Sequence, residues 1–145
     1  DTFGNLVYDR IKAKAEEGGV GFPAGKLPDN WLATQIRPEA KETCRNWFYK
    51  TACIRELLPR LYMEIALLRC FRFLADGEYP QILARLAHMT RGIGDPMIAV
   101  YTRTYLARGI AKVMPDNKDP VLNSFSDYLF TFRSGPESGS ECVSE

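Results

Sequence analysis

The chain has 145 residues, 46% of them hydrophobic, with 19 basic and 18 acidic side chains and a formal net charge of +1. That length suits one domain with a core of its own, and so small a total charge excludes a global field that would draw the whole chain to nucleic acid or anionic lipid. No apolar run approaches the ~20 residues needed to span a bilayer, and no secretory signal opens the chain.

The charge is unevenly spread. Between Arg37 and Lys112 there are thirteen Lys and Arg against seven Asp and Glu, whereas the last twelve residues hold three Glu and no base. Four cysteines, Cys44, Cys53, Cys70 and Cys142, form no C-x-x-C pair, and the single histidine, His88, is distant from all of them. Ligand count and spacing therefore argue against zinc. The first three cysteines fall in helical apolar patterns, which predicts buried free thiols. With no disulfide framework, a reducing compartment is favoured. The start at Asp1 and the loose polar end suggest a piece excised from a longer chain.

Phe3, Leu6, Val7, Ile11 and Ala15 repeat at helical spacing and predict an amphipathic helix from Asp1 to about Ala15, capped by Asp1 or Thr2. From Glu16 to about Arg37 that pattern fails. Gly18, Gly19, Gly21, Pro23, Gly25 and Pro28 predict a long loop, whose far end Trp31, Leu32 and Ile36 could anchor. The glycines do not make a phosphate loop, because the frame ends in Lys26-Leu27 without a magnesium-binding hydroxyl.

Pro38 suits a first helical turn, and Glu39 and Glu42 complement its positive end. The helix should run to about Ile54 with Cys44, Trp47, Phe48 and Thr51 buried. Pro59 breaks that helix and should start another, running to Leu74 and ended by Gly77. Its stripe of Leu58, Leu61, Tyr62, Ile65, Leu68, Phe71 and Leu74 is wide enough to pack on more than one side. Arg60 has Glu56 and Glu64 four residues to either side, so a local ion pair competes with any outward role.

Pro80 opens a helix over Tyr79 to about Thr90, with Ile82, Leu83, Leu86 and Met89 inward and His88 on the surface or in packing. In R-G-I-G-D-P, Gly92 or Gly94 could take a left-handed C-cap, while Asp95 caps the next helix and Pro96 fills its first position. That helix should reach Val113 with Ile98, Ala99, Val100, Tyr101, Tyr105, Leu106, Ile110 and Val113 apolar, ended by Pro115. A last helix over about Asp119–Phe132 places Val121, Leu122, Phe125, Leu129 and Phe132 on one side. The Ser/Gly/Glu-rich tail from Ser134 to Glu145 reads as disordered.

No stretch alternates long enough to argue for a strand. The expected fold is all-α: five or six helices in antiparallel hairpins of an α-solenoid, HEAT-like in kind, over residues 1–133, with a long loop at about 16–37 and a tail at 134–145. No internal repeat is visible, so the solenoid rests on organisation and not on periodicity. One histidine, scattered cysteines and no paired carboxylates offer no acid–base, nucleophile or metal set. The expectation is a protein that is not an enzyme and carries no cofactor. An alternative class is a helical nucleic-acid binder using the basic Arg37–Lys112 region, whose binding would weaken steeply with salt.

Two segments carry more specific information: L-P-R-L-Y-M, Leu58 to Met63, and R-G-I-G-D-P-M-I-A-V-Y-T-R-T-Y-L, Arg91 to Leu106. With Pro115-Asp116, their order and spacing resemble the large α-solenoid subunit of retromer-type endosomal sorting complexes. R-N-W-F-Y-K (Arg45–Lys50), R-E-L-L-P-R (Arg55–Arg60) and R-G-I-G-D-P are closer to the paralogue in retriever, the retromer-like recycling complex. The resemblance spans roughly Thr43 to Phe132. Met63 stands where retromer carries Leu, a swap that nearly conserves volume. The Gly18–Pro28 loop and the tail match nothing in the resemblance.

The resemblance implies a scaffold, cytoplasmic and peripheral on endosomes, that sorts integral membrane cargo. It implies an arrestin-like subunit docked at the P-R-L-Y segment. A metallophosphoesterase-like subunit would be held by a far C-terminal region absent here, and membrane association would come through the complex, with no nucleic acid. The candidate partner-binding residues are then Pro59, Arg60, Leu61, Tyr62, Met63 and Arg103. Of these, Tyr62 reads as more core than surface. Arg103 and Arg108 are expected on an exposed basic face, and Arg91 is expected to cap carbonyls or pair with Asp95.

Overall fold

The computed structural model describes residues 2–17, 26–75, 79–116, 118–119, 122–123, 125–126 and 129. Among them the chain is all-helical. The α-helices are α1 (Thr2–Glu16), α2 (Pro38–Ala52), α3 (Leu57–Ala66), α4 (Tyr79–Thr90) and α5 (Pro96–Val113). A short 3-10 turn, Ala33–Gln35, precedes α2, and a six-residue 3-10 segment, Leu68–Phe73, follows α3. Each helix packs on its neighbour in sequence as far as the 3-10 segment, which also touches α1, α2 and α5. The expected α-solenoid class holds. The caps expected of Asp1 and Gly77, Cys142, the 18–25 part of the glycine loop and the tail all lie outside the described residues.

The starts of α2 and α5 follow from local chemistry. Arg37, held extended as a residue before proline must be, precedes Pro38. Asp95 accepts from the amides of Met97 and Ile98 at 2.9 and 3.0 Å, satisfying two groups that have no partner within the helix. At the end of α4, neither Gly92 nor Gly94 adopts a positive φ. The helix stops instead by tightening. Arg91, Gly92 and Ile93 donate to the carbonyls three residues back, at 3.1, 3.1 and 3.3 Å.

The helix expected from Pro59 to Leu74 is two elements. Pro59 sits third in α3 and not first, which costs nothing because first-turn amides lack intrahelical acceptors. At Leu67 the backbone winds into the 3-10 segment. There i and i+3 eclipse, so every third residue shares a ridge. Leu67, Cys70 and Phe73 enter one core. Leu68 is buried in a second core, with Phe71 packed against it. Arg69 and Arg72 form the remaining ridge, over the rings of Tyr8 and Trp31 at 3.8 and 4.4 Å.

The first core gathers α1, α2 and the segment from Leu27 to Ile36. Trp31 stacks on Phe73 at 4.7 Å, and Arg72 fixes it by donating to the carbonyls of Asp29 and Trp31 at 3.0 and 3.2 Å. Leu27 donates its amide to Glu16 at 3.1 Å, and Arg37 reaches the Glu17 carbonyl. The far end of the loop is therefore anchored by Trp31 and Ile36 as expected, with Leu27 added, whereas Leu32 is exposed. Within α1, Tyr8 and Gly4 are buried and Leu6 is exposed, because the buried face centres on Val7 and Ile11. Cys44 donates to the Cys70 carbonyl at 3.3 Å. Burial pushes both thiols up to about 12, so they are protonated and inert. Cys53, expected to be buried, caps the end of α2 and is exposed.

The second core joins Leu61 and Ile65 of α3, Leu83 and Leu86 of α4, and Leu106 and Ile110 of α5, with Ile82 and Met89 partly buried beside them. Gly109 lets α5 approach closely: a Cβ there would touch Ile65 and Leu68 at 3.4 and 3.5 Å. Beyond α5, the described residues between 119 and 129 are helical, but Leu122, Phe125 and Leu129 are exposed.

Candidate partner-docking site

Five of the six candidate residues lie on the first half of α3. Pro59 is exposed, Arg60, Tyr62 and Met63 are half-buried, and Leu61 is 0% exposed. Leu61 thus anchors the turn in the second core. Tyr62 faces α5. Its hydroxyl is 3.0 Å from that of Thr102, and its ring lies 5.8 Å from Tyr105 and 6.3 Å from Tyr101.

Arg103 departs from expectation. It was placed on an exposed basic face, but it is 7% exposed. Its position explains why, since it shares the buried face of α5 with Ala99, Leu106 and Ile110. The same rotation turns Tyr101, expected inward, to 67% exposure, with Met97 and Ile98 also outside. Arg108 is exposed as expected.

The group that sequence reasoning undervalued is Glu64. It is 4% exposed, yet it holds two cations. Arg60 Nε donates to one carboxylate oxygen at 2.9 Å, and Arg85 Nη2 of α4 donates to the other at 2.5 Å. Burial pushes its carboxyl up, but hydrogen bonds and charge from Arg85 and Arg60 outweigh this and hold it below the usual 4.5. Of the two candidate partners for Arg60, Glu64 is the one chosen. Spacing carried the signal for its burial: Glu64 lies three residues after Leu61 and four before Leu68, on the buried stripe.

Several side chains of the local basic excess make contacts within the chain while staying partly exposed. Arg37 pairs with Glu39 at 3.5 Å, Arg60 and Arg85 share Glu64, and Arg69 and Arg72 lie over rings. Two clefts of about 280 and 380 Å3 border the 3-10 segment and the end of α5, and neither includes Pro59–Met63. Among the described residues, no group of three or more His, Cys, Asp or Glu could hold a metal ion. No helix among them is long and apolar enough to cross a membrane.

These features describe a helical piece whose polar side chains serve packing and contact. A family model described as VPS35L matches residues 1–142, and the chain belongs to that family. It is 49% identical over 133 residues to a zebrafish (Danio rerio) protein named VPS35 endosomal protein-sorting factor-like, and 44% identical over 133 residues to the human protein of that name. A Dictyostelium discoideum relative of the same name is 44% identical over 137 residues. Each match covers 92% of this chain but only 13% of the relative. The family match extends the expected resemblance, which began near Thr43, across α1 and the glycine-rich loop.

Proposed function

We propose that this chain is a non-enzymatic scaffold module of an endosomal sorting and recycling complex, and that it docks an arrestin-like subunit through the first half of α3. The names of its relatives support endosomal protein sorting as the setting. The complex would move integral membrane cargo and sit peripherally on endosomes from the cytoplasmic side. A metallophosphoesterase-like subunit would contact a distant C-terminal region outside this chain.

The observation that carries the docking reading is the shape of one helical turn. Pro59 is exposed and Arg60 and Met63 are half-exposed on α3, while Leu61 fixes the turn into the core and Tyr62 ties it to α5. Such an edge suits an interface: Arg60 is already held by Glu64 and has less freedom to lose on binding, while the Met63 thioether can adapt to the partner's surface. Arg103, on the buried face of α5, would contribute indirectly, through the packing of that helix.

The test is capture of the arrestin-like subunit by the full-length protein. Arg60→Glu should lower affinity by at least tenfold, about 1.4 kcal/mol, and a Leu61 substitution should lower it through loss of the anchored turn. Unchanged binding with Arg60, Leu61 and Arg103 all replaced would remove the reading. For the nucleic-acid alternative no observation adds to the local basic excess, and four of its arginines already contact a carboxylate or a ring.

A further inference from the structure

We infer that Arg60 and Arg85, held apart by Glu64, form a two-arginine clamp for an acidic group on the docked subunit. The inference rests on the docking reading above and names the partner chemistry that this edge would accept.

Three observations lead to it. First, the charges do not balance. One carboxylate bridges two guanidiniums, leaving the trio one positive charge in excess. Second, the carboxylate is buried and the cations are not. The Glu64 side chain is 6% exposed, against 34% for Arg60 and 45% for Arg85. Third, among the described residues most of the guanidinium donors of this pair have no partner. Arg60 uses Nε on Glu64, and Arg85 uses Nη2 on Glu64 with a long 3.7 Å contact from Nη1 to the Met89 sulfur. A guanidinium carries five N–H donors, so each arginine retains several beyond those used in these contacts.

Glu64 fixes Arg60 by Nε and Arg85 by Nη2, so the remaining N–H groups of each planar guanidinium are held in place. An incoming carboxylate would complete an alternating arrangement of two cations and two anions. Planar guanidiniums bind carboxylates with two parallel hydrogen bonds, which lysine cannot reproduce. Glu64 is a positioning residue here and does not itself meet the partner. Because its carboxyl is held below the usual range, the clamp stays set throughout neutral pH.

Binding of the purified arrestin-like subunit to the full-length protein, measured by calorimetry across a salt series, tests this. Wild-type affinity should fall as salt rises. Arg85→Gln should weaken binding by roughly tenfold and flatten the salt dependence, as expected for an interfacial charge pair, and Arg85→Lys should recover only part of the loss. Thermal unfolding of each variant keeps a folding defect from passing as a binding one. Met63→Ser is the control for docking alone, since the clamp does not use Met63 and serine adds no charge beside Arg60. If Met63→Ser weakens binding tenfold or more while Arg85→Gln stays within twofold of wild type, docking stands and the clamp is wrong. A salt-independent wild-type affinity overturns the clamp as well. If the wild-type protein does not bind the subunit at all, both readings fall.

Discussion

In the core built from α1, α2 and the 27–36 segment, Tyr8 and Trp31 both pack on Phe73, with ring centroids 5.1 and 4.7 Å away. The core between α3, α4 and α5 is instead Leu and Ile, with its tyrosines at the margin. The first core buries no charged side chain, whereas beside the second lie Glu64 and Arg103. The difference separates two tasks. Stacked rings give the first half a shape fixed by large areas and specific geometry. Aliphatic side chains give the second half packing that tolerates more rearrangement, and its buried charges hold particular side chains at the edge.

Deleting the ring at the centre of the first core should have the largest effect. Phe73→Ala should destabilise by about 3–5 kcal/mol, and Leu86→Ala in the second core by about 2–5 kcal/mol. Denaturant midpoints measured for both variants would compare the cores directly, and a larger loss at Leu86 would reverse the contrast.

Next comes Glu64→Gln, which leaves two arginines without their shared anion. A fully buried pair broken on one side costs about 3–5 kcal/mol. The two arginines here are partly solvated, so about 1–3 kcal/mol is expected. Acid sharpens the assignment. The folded carboxyl lies below its usual 4.5, so its contribution is complete above that pH and is lost as pH falls through the folded value. Unfolding followed at descending pH should show wild type losing its advantage over the glutamine variant in that acid range.

Asp95→Ala removes the cap of α5 and should cost about 1 kcal/mol, with faster amide exchange at Met97 and Ile98. Gly94→Ala should matter least. An added Cβ meets nothing within 4 Å and φ is not positive, so a change of less than about 1 kcal/mol, on the stabilising side, is expected in thermal unfolding.

The sequence made some of this legible and not the rest, for reasons visible at single residues. The spans of α4 and α5 could be read because Pro80, Asp95 and Pro96 act through their own backbone chemistry, which tertiary packing does not change. The break at Leu67 could not, since both helix types keep Leu61, Ile65 and Leu68 near one face over so short a span. Leu6 falls in the helical spacing of Phe3, Val7 and Ile11 and Leu32 stands beside Trp31, yet both are exposed, because tertiary contacts favour Tyr8 and Leu27. At the candidate site, the ion pair of Arg60 with Glu64 was legible in their four-residue spacing. Arg103 and Glu64 were misplaced or undervalued because a charged side chain on an apolar stripe was assigned by its charge and not by its position.

The three-ridged segment Leu68–Phe73, continuing from Leu67, sets a rule for how this chain can vary in length. Its faces repeat every three residues, with two apolar ridges and one cationic. One residue inserted ahead of Leu67 would move Arg69 and Arg72 onto the ridge that enters the aromatic core and turn Leu68 and Phe71 outward. Three inserted residues would restore every face. Homologous chains should therefore conserve the spacing between α3 and Phe73 or change it in steps of three, while the connections on either side remain free to drift.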